Sequence, residues 1–262
     1  VMGPSALSRL TLLAPLAVLD DAVLHPQAVV THGDNATTHL YSVNMTIGTG
    51  LTVHAGAVIT ADGLGYDPKY GPGAGDGDAS GGSGGGYGGM GGPYYRPAGT
   101  TYGSWLAPTN LGSGGDRGAG GGAIRLTVGG TALLDGLITA DGVAGGTYHG
   151  AGSGGSVWLS ADHLEGSGRI SACGGQGGSS FWSGSGGGGR IAVYVSAGNG
   201  CGMVSMSATA GTNASERGAA GTIYIATAAE TYGRAIVDNS NLVSSVATHL
   251  PGFTNGGSVS AF

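Results

Sequence analysis

Hydrophobic and polar positions alternate with a period of two in four short stretches of the chain. Ile124, Leu126 and Val128 fall on one side, Arg125 and Thr127 on the other. Val157 and Leu159 oppose Trp158; Ile191, Val193 and Val195 oppose Tyr194; Ile223 and Ile225 oppose Tyr224. Such alternation predicts half-buried strands. A shorter pattern follows three of them: ITAD at 138–141, ISAC at 170–173 and MSAT at 206–209, with an earlier ITAD at 59–62. It predicts a second strand in which Ala61, Ala140, Ala172 and Ala208 face a narrow interior. Thr60, Thr139, Ser171 and Ser207 then form an outer ladder of hydroxyls. No segment of useful length carries a helical period.

The long strands begin at Ile124, Val157, Ile191 and Ile223, a spacing of about 33 residues, within the range of repeat architectures. Residues 50–66 hold an earlier copy. Each unit reads as strand, turn, strand and glycine-rich loop, with glycine runs at 71–92, 113–122, 145–155 and 174–189. Removing the loop leaves about 20 residues, one turn of a stack with strands ~4.8 Å apart. The fold expected is all-β: a right-handed parallel β-helix (solenoid) with stacked glycine-rich loops on one edge. A β-sandwich is the alternative, because short strands with turn signals also fit one. The domain reading is an N-terminal arm or docking segment at 1–28, the glycine-rich domain at 29–241 and a C-terminal extension at 242–262.

Composition changes this picture in two ways. Glycine supplies 60 of 262 residues, yet hydrophobic residues still make up 40%, enough for a core. The glycine loops are therefore read as packed architecture, since a missing Cβ permits close backbone approach. Charged residues are only 9% of the chain and the net charge is −6. A nucleic-acid partner, which needs a basic footprint, is excluded on that ground. No stretch reaches the ~20 apolar residues of a membrane span; residues 10–19 are too short and are broken by Pro15. The chain opens on Val1 without an initiator Met, so it is read as a mature product or part of a longer protein.

The blocks LTVHAGAVITADGLGYDPKYGPG, GGGAIRLTVGGTALLDGLITADG, GAGSGGSVWLSADHLEGSGRISACGGQGG, GGGGRIAVYV and GTIYIATAAETYGRAIVDNSN occur in this order. In this they resemble glycine-rich β-helical repeat modules of large secreted or cell-surface proteins. The resemblance implies an extracellular structural or adhesive role and supplies no catalytic motif. Cys173 departs from it, standing where the pattern has Asn or another small residue.

Candidate chemistry is sparse. Asp62 and Asp141 are equivalent and both precede glycine, so they are read as turn residues rather than a catalytic pair. Asp76 and Asp78 in GDGD are the one weak calcium candidate; no other cofactor is expected. The seven histidines show no metal-ligand spacing. Sequons place candidate glycans on Asn35, Asn44 and Asn213. Cys173 and Cys201 are a candidate disulfide, although Cys173 aligns with Thr209 in the next unit, so both states stay open. Loop aromatics (Tyr66, Tyr70, Tyr87, Tyr94, Tyr95, Trp105, Tyr148, Phe181 and Trp182) are read first as packing for the glycine loops, and second as a sugar-binding surface.

The functional expectation is a non-enzymatic structural subunit of an extracellular fibre or surface layer, built head-to-tail from identical subunits. Leu10, Leu12, Leu13, Leu16, Val18 and Leu19 are its expected assembly anchors. A carbohydrate-binding adhesin module that contacts surface glycans is the alternative, and a polysaccharide-processing enzyme ranks third.

Overall fold

The computed structural model describes residues 8–178, 182–212 and 216–250. The first strands are β1 (Arg9–Leu12), β2 (Leu16–Val18), β3 (Ala22–Leu24), β4 (Val29–His32), β5 (Val43–Ile47), β6 (Leu51–Val53) and β7 (Val58–Thr60). Two-residue strands β8 (Gly77–Asp78) and β9 (Gly81–Gly82) come next, then β10 (Ala123–Val128), β11 (Thr131–Leu134) and β12 (Leu137–Thr139). The series continues with β13 (Ser156–Ala161), β14 (His163–Glu165), β15 (Arg169–Ser171), β16 (Arg190–Val195), β17 (Ser205–Ser207), β18 (Thr222–Thr227) and β19 (Arg234–Ile236). No helix occurs among the described residues.

These strands form four sheets. One has six strands in the order β1-β4-β7-β12-β15-β17, one has seven in the order β19-β18-β16-β13-β10-β5-β2, and one has four in the order β14-β11-β6-β3. All neighbours in these three sheets are parallel except β18 and β19. The fourth is the antiparallel pair β8–β9.

Register follows the apolar alternation, because a one-residue slip would turn every buried side chain outward. Leu126 stands opposite Met45 on one side and Leu159 on the other. Ile59, Ile138, Ile170 and Met206 form the corresponding row of the six-stranded sheet. The inner faces of the three larger sheets share one core that includes Leu51, Val53, Leu134, Ile191 and Val193, all buried. Ala61, Ala140, Ala172 and Ala208 are buried as expected. Their carbonyls accept hydrogen bonds from Gly122, Gly155, Gly189 and Gly221, each at 2.7 Å. Those glycines immediately precede the long strands, so the seam ties two sheets together where there is no room for a larger side chain.

The expected single right-handed β-helix is corrected. The strands are short and divide among several sheets, an all-β arrangement that the sandwich alternative accommodates. The units are not equivalent: the four-stranded sheet receives no strand after β14, and β19 runs antiparallel to β18. Residues 61–122 contribute only the two-residue pair β8–β9. The repeat pattern locates the long strands but says nothing of these departures, which arise where side-chain alternation stops.

The glycine-rich segments pack as backbone. Gly84 N–H donates to Gly92, Gly85 to Ala151, Gly86 to Gly73, and Gly112 to Gly121, at 2.8–2.9 Å. Residues 81–89 and 111–116 are buried almost throughout. A Cβ at Gly188 would overlap the Ala208 carbonyl and the Gly221 nitrogen, neither of which can rotate away. Glycine here is a requirement of close approach. Side chains enter this layer sparingly: Tyr87 is wholly buried, its hydroxyl 2.7 Å from that of Ser156.

Candidate functional site

The three parallel sheets begin together at one end of the molecule. β1, β2 and β3 are their terminal strands, each paired on one side only. The described part of the segment 1–28, read as an N-terminal arm or docking segment, is built into the sheets beside β4, β5 and β6. Of the expected anchors, Leu12 is buried in the core, and Leu16 and Val18 pack partly against it. These three therefore serve the fold. Leu10, Leu13 and Leu19 remain exposed, at 44%, 66% and 87%, joined by Val23 of β3 at 47%.

At the other end, β14 and β17 are terminal, while β19 covers the edge of β18. A cavity of about 610 Å³ opens there. Val204, Met206, Ile223, Ile225 and Ile236 line its apolar part, with Arg234, Glu230 and Cys201 also on its wall. Burial pushes the Cys201 thiol up from its ordinary pKa.

The expected hydroxyl ladder forms only in part: Thr139 Oγ1 donates to Asp62 at 3.0 Å and lies 3.1 Å from Thr60 Oγ1, whereas Ser171 is buried and donates to Asp141. The aspartates link successive units: Asp62 Oδ1 accepts from Asp141 N–H at 2.7 Å, and Asp141 Oδ1 accepts from Cys173 N–H at 2.6 Å. Burial raises the Asp141 pKa, against the hydrogen bond from Ser171 that favours its charge. Cys173 occupies the next place in this series, and its Sγ lies 3.2 Å from the Ser207 hydroxyl and 3.4 Å from that of Thr209. The candidate disulfide is corrected: Cys173 and Cys201 are both free thiols. The 62/141/173 column holds Cys173 among hydroxyls, whereas Cys201 lines the terminal cavity.

Among the sequons, Asn35 is corrected as a glycan acceptor. It is 2% exposed; its amide donates to the carbonyls of Tyr41 and Leu64, and its Oδ1 accepts from Leu40 and Tyr41 N–H. All its polar capacity is used in shaping the 35–41 loop. Asn44 lies in β5, half-buried on the outer side of the sheet. Asn213 lies outside the described residues, as do Phe181 and residues 251–262.

Two groups singled out separately in the sequence come together in the glycine-rich layer. The hairpin β8–β9 carries Asp78, whose carboxylate pairs with Arg96 at 3.1 Å and accepts from Ser80 N–H. Asp76 lies 3.8 Å from the same guanidinium. The Ser80 backbone bond first, then Arg96, hold the Asp78 carboxyl below its usual range. Arg96 thus stands between the two carboxylates of the weak calcium candidate, and no group of three metal-ligating side chains exists among the described residues. Tyr94 and Tyr95 precede Arg96, and the Trp182 carbonyl accepts from Gly82 N–H. The Tyr94 ring meets Tyr95 at 4.7 Å and 75°, and Trp182 at 5.8 Å and 73°. Asp78, Ser80, Gly81, Tyr94, Tyr95, Arg96 and Trp182 enclose a cleft of about 450 Å³.

A scan of protein-family models and searches of curated proteins and solved structures match nothing. No helix among the described residues is long and apolar enough to cross a membrane.

Two buried charges escaped the sequence reading. Asp116 has no exposed side-chain surface; its Oδ2 lies 2.6 Å from His149 Nδ1, and Lys69 Nζ forms an ion pair with Oδ1 at 3.1 Å. Arg190 is fully buried, with no carboxylate partner among the described residues. Its guanidinium donates to Tyr102 O, Tyr87 O and Thr222 Oγ1 and lies over the Tyr87 ring. Burial lowers its pKa and pushes that of Tyr87 up to about 12. A signal for Arg190 exists, because its register partners are Ser156 and Thr222, so one charge interrupts a column of small polar residues. Asp116 in GSGGDRG has no counterpart of that kind.

Proposed function

We propose that the protein is a non-enzymatic structural subunit of an extracellular fibre or surface layer, in which identical chains add end to end. The observation that carries this reading is the common terminus of three parallel sheets on β1, β2 and β3. Terminal strands present unpaired N–H and C=O groups, a template for another chain. Natural edges are blunted with charge or proline; here exposed Leu10, Leu13, Leu19 and Val23 stand beside Arg9, Pro15, Asp20 and Asp21, so the end is only partly protected. The opposite end differs, with its apolar cavity and free β14 and β17 edges. Contact between two unlike ends is heterologous and produces an open filament unless a rotation closes it. The low charge of the chain leaves little repulsion between subunits. The extracellular setting rests on the resemblance to secreted repeat modules and on the outward-facing Asn44 sequon.

Sedimentation velocity across a range of concentrations, with negative-stain microscopy, tests the proposal. Growing oligomers and filaments are expected for the unaltered chain. Leu10→Lys with Val23→Lys places charge on two terminal strands and is expected to yield folded monomer. Monomer at every concentration for the unaltered chain, or filaments untouched by both lysines, overturns it.

A further inference from the structure

The cleft between β8–β9, Tyr94–Arg96 and Trp182 combines features that a packing role does not explain. Backbone bonding fixes its walls: Gly82 N–H donates to Trp182 O, Gly82 bridges Ser183, and Tyr94 bridges Arg96. On this rigid frame Tyr95 is 89% exposed and Trp182 46% exposed. Tyr87, by contrast, shows what an aromatic does when it packs the glycine layer, and it is wholly buried. Tyr95 also has φ of 41°, a left-handed conformation costly for a bulky residue and found where surrounding structure imposes it. The Tyr94 hydroxyl is buried and lacks a hydrogen-bond partner among the described residues.

We propose that this cleft is a binding site for a neutral saccharide. Sugar rings carry an apolar C–H face and a polar rim. Tyr95 and Trp182 supply exposed aromatic surface for the first; Asp78, Arg96 and Ser80 supply acceptors and donors for the second. A volume of about 450 Å³ lies within the ~300–1,000 Å³ of small-ligand sites. Charge selects the neutral class: two carboxylates, Asp76 and Asp78, face one guanidinium, Arg96. An acidic sugar would meet a net negative site in a net negative protein. A quaternary ammonium, the other usual guest of perpendicular aromatic rings, would have to lie beside Arg96.

Native gel electrophoresis through matrices containing soluble glucan, mannan or galactan tests this, with polygalacturonate and free choline as charged probes. Retardation by at least one neutral polymer is expected, lost in Trp182→Ala and in Tyr95→Ala. It should persist in Tyr232→Ala, which removes an aromatic exposed to a similar extent elsewhere. Far-UV circular dichroism matching the unaltered protein establishes that each variant is folded. The proposal is overturned if no neutral polymer retards the protein, or if both cleft variants are retarded as strongly as the parent. Retardation by polygalacturonate alone, or a choline-dependent mobility shift alone, overturns it equally.

Discussion

Replacing Gly188 with alanine adds one methyl group, and the structure converts that into a specific cost. The new Cβ would overlap the Ala208 carbonyl oxygen and the Gly221 nitrogen. These two atoms form one of the four seam bonds, Gly221 N–H to Ala208 O at 2.7 Å. The Gly188 carbonyl also accepts from Gly88 and Gly89 N–H, at 3.0 and 2.9 Å. The Gly188 N–H donates to Ala219 O at 3.0 Å, so moving this residue away disturbs four backbone bonds in a buried region. Overpacking contributes about 1–3 kcal/mol, and each weakened bond about 0.5–1.5 kcal/mol. With partial relaxation the expected loss is about 2–5 kcal/mol, a large part of a typical domain's stability. Gly200→Ala is the matched control: nothing lies within 4 Å of its added Cβ and its φ is not positive. That variant should be unchanged or more stable by up to about 1 kcal/mol, through the unfolded chain. Urea unfolding of both separates the effects, with Gly188→Ala shifting the midpoint by about 1 M. Equal midpoints for the two variants would refute the close-packed backbone layer.

Leu126→Ala, buried between Met45 and Leu159, should cost about 3–5 kcal/mol through lost burial and a cavity, read from the same urea curves. Asp141 has a raised folded pKa, so the folded state holds its proton more tightly and stability falls as pH rises from its unfolded value through the folded one. Asp141→Asn keeps an acceptor for Ser171 and Cys173; it should flatten that decline and be neutral or stabilising at pH 7, seen in melts from pH 3 to 7. Asn35→Asp removes the donors to Tyr41 O and Leu64 O and should cost about 2–4 kcal/mol in thermal or urea melts. Folded protein from a eukaryotic secretory host should carry no glycan on Asn35, and peptide mapping before and after deglycosylation checks this.

The strands and their partners were legible because side chains record which way they face. The inward Ala61–Ala140–Ala172–Ala208 column follows directly from alternation, as does the Thr60–Thr139 contact, while Ser171, expected outside, is buried. The glycine layer was legible only as a place. Its contacts run from backbone to backbone, as from Gly84 to Gly92, and one glycine reads like another in sequence. The N-terminal leucines misled for a different reason: Leu12 and Leu16 look like Leu10 and Leu13 until pairing decides which enter the core. Asp76 and Asp78 were noticed as acids and Tyr94, Tyr95 and Trp182 as aromatics. Their meeting around Arg96 depends on chain crossings that no local pattern encodes.

A layer that buries peptide groups rather than hydrocarbon has a thermal consequence. Heat capacity rises on unfolding when apolar surface meets water and falls when polar surface does. The glycine-rich layer would expose mostly amides and carbonyls, partly cancelling the contribution of the leucine, isoleucine and valine core. The heat-capacity increment per residue should therefore lie below the usual ~12–15 cal/mol/K. A smaller increment broadens the stability curve, so the protein should lose less of its stability on cooling than a conventionally packed domain of the same length.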